Sequence, residues 1–197
     1  MVGALACGGS SDAPSQPVGG GDLGSASIGD PLGDTFGIAG TVQWDVSVLT
    51  ISRELAGIVI HLDLANDVGL PIPADPSALV GIVEFDLDQN QTTGKLGIVD
   101  QLRADGGSTG MGVDAALNLS TIGPDSTLVV YDGGGNPAGR AKVEFGVRRL
   151  TIHVPASLLG GDDGFVDAAV IVGNGRSPTD IAPQSGHLSL RPASSAP

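Results

Sequence analysis

One cysteine, one tryptophan and one tyrosine are all that this 197-residue chain holds of those three residue types. A single thiol, Cys7, rules out a disulfide within the chain, so no cystine framework can staple the fold. Aromatic residues make up 3% of the chain, which leaves Val, Ile, Leu and Ala to build a core. Positive charge is scarce as well: 9 Lys and Arg stand against 22 Asp and Glu, a formal net charge of −13. Nucleic acid and anionic membrane surfaces both require a cationic face, so binding to either through charge is excluded. Glutamate is nearly missing. It occurs only as Glu54, Glu84 and Glu144, so the other 19 acidic residues are aspartates. Glu favours helices, whereas Asp favours turns, caps and hard-cation sites. No run of residues is long and apolar enough to span a bilayer.

What is present fits one folded domain. Hydrophobic residues form 41% of the chain, and the 32 Gly and 13 Pro suit many short strands joined by tight turns. From about residue 40 a period of two takes over. Ile58, Ile60, Leu62 and Leu64 alternate with Val59, His61, Asp63 and Ala65; Val83, Phe85 and Leu87 alternate with Glu84, Asp86 and Asp88. The same alternation marks Val113–Leu119, Val143–Phe145, Leu150–Val154 and Val166–Val172, and further runs lie at Val46–Ile51, Leu128–Tyr131 and Leu188–Leu190. That pattern places one set of side chains in a core and the other in water. It predicts an all-β domain, an antiparallel β-sandwich of eight or nine strands over residues 30–191, with a barrel as the alternative. Turn residues at 133–137 and 146–148 predict two hairpin connections, and 155–160 one helical turn. The long loops at 66–78 and 89–111 flank the strand that carries Glu84 and are the expected seats of function.

The N-terminal segment Ala4-Leu5-Ala6-Cys7-Gly8 resembles the lipobox of bacterial lipoproteins, in which a cysteine preceded by small residues is acylated. The resemblance implies lipidation at Cys7, with residues 1–7 the remnant of a signal peptide. Six residues precede Cys7 and none is basic, so the expected reading frame begins further upstream. Residues 8–29, dominated by Gly, Ser, Asp, Ala and Pro, read as a disordered tether. Residues 192–197 read as a disordered tail. Gly8 stands where an Asp would retain a lipoprotein at the inner membrane. The implied location is therefore the bacterial cell envelope, lipid-anchored at the outer membrane.

Asp-Pro-Leu-Gly-Asp-Thr at 30–35, Phe-Asp-Leu-Asp-Gln-Asn-Gln-Thr-Thr-Gly at 85–94, Gly112-Val113-Asp114, Val-Pro-Ala-Ser-Leu-Leu at 154–159 and Asp-Ile-Ala-Pro-Gln-Ser-Gly-His at 180–187 together resemble a β-sandwich domain of secreted bacterial proteins. That group is similar to the DOMON and family-9 carbohydrate-binding-module folds, and the resemblance spans roughly residues 30 to 191. It implies a fold and, as one functional class, carbohydrate binding. Family-9 modules are associated with paired tryptophans, and this chain has Trp44 alone.

The sharpest chemical signal is Asp86-Leu87-Asp88-Gln89-Asn90, with oxygen-bearing side chains at alternate positions. Such spacing lets ligands converge on a hard cation, although Gln91 and Gly97 at the sixth and twelfth positions exclude an EF-hand. Calcium held by Asp86, Asp88 and Asn90, completed by a backbone carbonyl and by Asp114, is one reading; Asp100 and Asp105 are further candidates for the distant carboxylate. The other reading is a solvated strand end whose aspartates cap their own turn. His61, His153 and His187 lack the spacing of a zinc site. A haem held by Met111 and one of them has equally little support. No Gly-x-Ser-x-Gly elbow occurs, and the abundance of aspartate alone is no signature of a catalytic carboxylate pair. The sequence therefore points to a non-enzymatic, exported and lipid-anchored protein with a structural or interaction module. Calcium is the one cofactor expected, and a protein or polysaccharide partner is left unidentified. A carbohydrate-binding module of the cell envelope is the rival.

Overall fold

Isoleucine and leucine at every second position make β3 (Gly57–Leu64) the central strand of one half of the molecule. Ile58, Ile60, Leu62 and Leu64 are buried, while His61 and Asp63 between them are half-buried. A computed structural model describes residues 23–69, 75–95, 97–103, 106–160 and 162–192. Cys7, the tether up to residue 22, Asp105 and the tail from 193 lie outside the described residues.

The remaining strands are β1 (Ser25–Gly29), β2 (Val46–Glu54), β4 (Val80–Asp86), β5 (Ala115–Asn118), β6 (Thr127–Asp132), β7 (Pro137–Phe145), β8 (Arg149–Pro155), β9 (Val166–Asn174), β10 (Ser177–Ala182) and β11 (Leu188–Leu190). One five-residue helix, α1 (Ile98–Leu102), interrupts them. Ala156–Leu158 makes the expected single helical turn. Every strand pairing is antiparallel, in the order β1-β2-β3-β8-β7-β6-β5-β4-β9-β10, with β11 also pairing to β9. The all-β antiparallel class is as expected. The described strands form one continuous ladder curled into a half-barrel, and they number eleven instead of eight or nine. Phe85, Leu49, Ile51, Ile60, Leu62 and Leu128 are among the fully buried side chains at its centre. No helix among the described residues is long and apolar enough to cross a membrane.

Three differences from the sequence reading have physical causes. First, Ser25–Gly29, assigned to the tether, is a strand. Ala26 and Ile28 pack against the core, while Ser25 and Ser27 pair on the outer face with Ser52 and Thr50, each at 2.9 Å. The ordered domain therefore begins before residue 30. Second, β10 escapes a search for alternating apolar residues because its buried positions include Thr179 and Asp180, both fully enclosed. Pro178 is tolerated there because β10 lies at the edge of the ladder, where the register also shifts. Third, β9 is buried on both faces. Val166, Ala168, Val170 and Val172 face the main core, whereas Ala169 and Ile171 join Val99, Met111 and Ile181 in a second apolar cluster. The loop carrying α1 covers the face that alternation alone assigns to water.

The ends of the ladder meet. The Trp44 N–H donates to the Thr179 hydroxyl at 3.0 Å, which donates in turn to the Trp44 carbonyl at 2.7 Å. The Phe36 N–H donates to the Thr179 carbonyl at 2.8 Å. The segment between β1 and β2 thereby binds β10.

Candidate metal centre

The pairing of β4 with β5 sets Phe85 opposite Ala115, so the next pair outward is Asp86 with Asp114. The Asp114 N–H donates to the Phe85 carbonyl at 2.8 Å, which continues the pairing to that point. Asp86 is the last residue of β4 and is buried; Asp88, two residues on, is exposed. One carboxylate oxygen from each of Asp86, Asp88 and Asp114 lies within 4.8 Å of the others. Two oxygens each about 2.4 Å from a shared calcium ion can be at most about 4.8 Å apart, so the set has the dimensions of one ion's coordination shell.

Backbone amides hold the cluster. Asp86 accepts from the Gly112 N–H at 2.9 Å and from the Asn90 N–H at 3.3 Å. Asp88 accepts from the Asn90 N–H at 3.0 Å and from the Thr93 hydroxyl at 2.9 Å. Asp114 accepts from the Leu87 N–H at 2.9 Å. Burial pushes the Asp114 carboxyl above its usual range, the Leu87 hydrogen bond opposes this, and the charges of Asp88 and Asp86 add to the rise. Gly112 is required by close approach. A Cβ there would strike the carbonyl oxygens of Thr93 and Asn90, pushing the chain off the turn.

Of the side chains expected to act together, Asp86, Asp88 and Asp114 converge and Asn90 does not. The Asn90 side-chain oxygen accepts from the Thr92 N–H at 3.1 Å and the Thr92 hydroxyl at 2.6 Å, so it caps the turn. The capping chemistry and the convergence of carboxylates coexist in this loop. Asp100 is taken up elsewhere, accepting from the Ser108 hydroxyl and from the N–H and hydroxyl of Thr109. Asp105 is outside the described residues.

The other expected residues are dispersed. His61 bonds Thr151 at 3.0 Å, and His153 lies 3.6 Å from Glu144. His187 bonds the Thr109 carbonyl at 2.7 Å and lies 3.3 Å from Asp167. Trp44 is 7% exposed, and its indole N–H donates to the Ser77 carbonyl at 3.1 Å. It lines a largely apolar cavity of about 770 Å³ with Val68, Leu79, Ile122 and Phe145, whereas Tyr131 lines a different cavity with Glu84 and Lys95. The two aromatic residues with polar handles therefore make no joint platform for a sugar.

A second carboxylate set was not singled out from the sequence. Asp30 follows β1, Asp34 lies in the turn beyond it, Asp45 precedes β2, and Asp180 sits in β10. One oxygen from each of Asp30, Asp34 and Asp180 lies within 4.8 Å of the others. The local signal was Asp30 and Asp34 four residues apart, but their partner comes from β10, a strand the hydrophobic pattern did not reveal. Compared with known proteins, the chain matches no protein-family model, and no curated protein is significantly similar to it.

Proposed function

We propose that the chain is a non-enzymatic, exported protein of the bacterial cell envelope, lipid-anchored through Cys7 at the outer membrane. Its β-rich module serves as a structural or interaction domain and is stabilised by calcium. The curled ladder acts as a flattened sandwich held off the membrane by the Gly- and Ser-rich segment that follows the cysteine. One observation carries the calcium reading: carboxylates from the end of β4, the turn after it and the segment before β5 meet within 4.8 Å. Support for the anchor rests on the small residues before Cys7 and on the composition after it. The non-enzymatic reading is supported by the histidines, each engaged with different neighbours: His61 with Thr151, His153 with Glu144, and His187 with Thr109 and Asp167.

Thermal melting of the full chain in millimolar calcium and in excess chelator tests the calcium reading. Calcium at about 100 times its dissociation constant stabilises a one-site protein by about 2.7 kcal/mol. The expected result is a higher melting temperature in calcium, with the gain reduced in Asp88→Asn. An identical melt in calcium and chelator would reduce the loop to turn capping. For the anchor, Cys7→Ser should abolish incorporation of labelled fatty acid and release the protein from the membrane fraction. Unchanged labelling would refute acylation at Cys7.

A further inference from the structure

Where the two ends of the ladder meet, the groups facing one another are carboxylates. Asp30, Asp34 and Asp180 each bring an oxygen within 4.8 Å of the other two. Asp45 stands beside them, its charge acting on both Asp30 and Asp180. A separate observation distinguishes this set from an ordinary acidic patch. Asp30 is 9% exposed and Asp45 7% exposed, yet Oδ2 of Asp30 and Oδ1 of Asp45 are shielded from solvent and have no hydrogen-bond partner among the described residues. Oδ1 of Asp34 is in the same condition. Charged oxygens buried without partners are strongly unfavourable, and folded proteins resolve them by taking up a proton, pairing the charge or coordinating a metal.

In Asp45 and Asp34 the second oxygen is already engaged, which fixes their orientation. Asp45 Oδ2 accepts from the Gly33 N–H at 2.8 Å, and Asp34 Oδ2 accepts from the Gln184 side-chain amide at 2.6 Å. Asp180 accepts from the Val46 N–H at 2.6 Å and from its neighbour Ile181 N–H at 2.8 Å. The charged groups that act on Asp30 are Asp180, Asp34 and Asp45, all carboxylates. Through Gln184 the network reaches one cation, Arg103, whose guanidinium donates to the Gln184 carbonyl. The side chains are thus held in place by hydrogen bonds that leave oxygen atoms over, the preorganisation a hard cation needs.

We propose that Asp30, Asp34 and Asp180, with Asp45 beside them, form a second cation site, one that takes a hard divalent ion of the calcium type and fastens the β1–β2 end of the sheet to β10. It is independent of the Asp86 loop. Asp180 pairs with Val172, which pairs with Gly81, and Asp86 lies five residues further along β4. At about 3.4 Å per strand residue the two sites are separated by roughly 17 Å along the strand direction alone.

The sole tryptophan provides the test, because Trp44 adjoins Asp45 and is itself buried. The full chain, stripped with chelator, is titrated with calcium chloride while Trp44 emission is followed and the number of bound ions is measured by calorimetry. The expected result is a saturable change in Trp44 emission that requires at least ten times more calcium in Asp30→Asn and in Asp34→Asn, with one ion fewer bound. Asn retains an amide oxygen, and unchanged circular dichroism of the stripped variants would show that the fold survives both substitutions. In Asp88→Asn the Trp44 response should persist. A Trp44 response absent from the natural chain, or unaltered in both Asp30→Asn and Asp34→Asn with the same number of ions bound, would overturn the proposal. Loss of the ion from Asp88→Asn with the Trp44 response intact would leave both sites standing, so the two readings fail separately.

Discussion

The carboxylate of Asp180 on β10 accepts the backbone N–H of Val46 on β2 at 2.6 Å, joining residues 134 positions apart. β10 is the last strand of the hydrogen-bonded ladder and β2 the second from its other end, so this bond joins regions that the strand pairing leaves apart. Replacing Asp180 by Ala leaves the buried amides of Val46 and Ile181 without their acceptor. A buried donor stripped of its partner costs about 1–3 kcal/mol. Urea melts of the full chain in calcium should therefore show Asp180→Ala destabilised by at least that amount and Asp180→Asn, which keeps an acceptor, by less. Equal losses in the two variants would mean that the bond to Val46 is not what stabilises the closure.

Crowding of carboxylates around Asp180 also sets a pH dependence in the ion-free chain. Burial, then the charges of Asp180 and Asp34, raise Asp30 from the usual 3.8 to about 7. Burial likewise raises Asp180 to about 6, against the hydrogen bonds from Val46 and Ile181. In the unfolded chain both carboxyls titrate near 3.8. Between that value and about 7 the folded chain binds more protons than the unfolded one, so stability falls as pH rises through this window and levels off above it. His61 contributes in the opposite sense, since burial lowers its pKa and its share of stability is lost as pH falls. The informative quantity is the difference between the natural chain and Asp30→Asn, measured in chelator. Asp30→Asn should gain on the natural chain as pH rises from 4 to 7.5, and a gap that is constant with pH would refute the shift at Asp30.

Period-two alternation made β3 and β8 legible because each presents one face to the core and the other outward. It made β9 only half legible, because Ala169 and Ile171 are covered by a loop that no local pattern places there. β10 was invisible because its buried residues include Thr179 and Asp180, which are satisfied by Trp44 just before β2 and by Val46 at its start. The candidate sites divide in the same way. Asp86 and Asp88 were readable from spacing, and Asp114 follows once β4 and β5 are paired. Asp30 and Asp34 could be linked to Asp180 only by knowing that the ladder closes on itself, which is a property of the whole sheet.

Glu84 ties the covering loop to the sheet. Its carboxylate, 2% exposed, accepts the N–H groups of Ile98 at 2.5 Å and Val99 at 3.3 Å at the start of α1. Burial raises its pKa while these two hydrogen bonds oppose the rise. Glu84→Ala would leave both amides unsatisfied and should cost about 1–3 kcal/mol. Hydrogen exchange should accelerate at residues 98–102 and across Ala169 and Ile171 beneath them, with β3 and β8 still protected. Uniform acceleration over all strands would show that Glu84 supports the whole fold and not this loop.

The role of β1 decides where the domain begins. β2 pairs with β3 along one edge and with β1 along the other, so removing Ser25–Gly29 would leave the β2 edge open. An open edge of nine residues is a template for pairing with another chain. Ala26 and Ile28 would be lost from the core as well. A chain beginning at residue 30 should therefore melt lower than one beginning at residue 23 and should self-associate at micromolar concentration in analytical ultracentrifugation. Placing Asp at position 28 in the longer chain, Ile28→Asp, should reproduce the loss of stability, since it inserts a charge where β1 meets the core. If the chain starting at residue 30 were monomeric and equally stable, Ser25–Gly29 would belong functionally to the tether even though it pairs with β2.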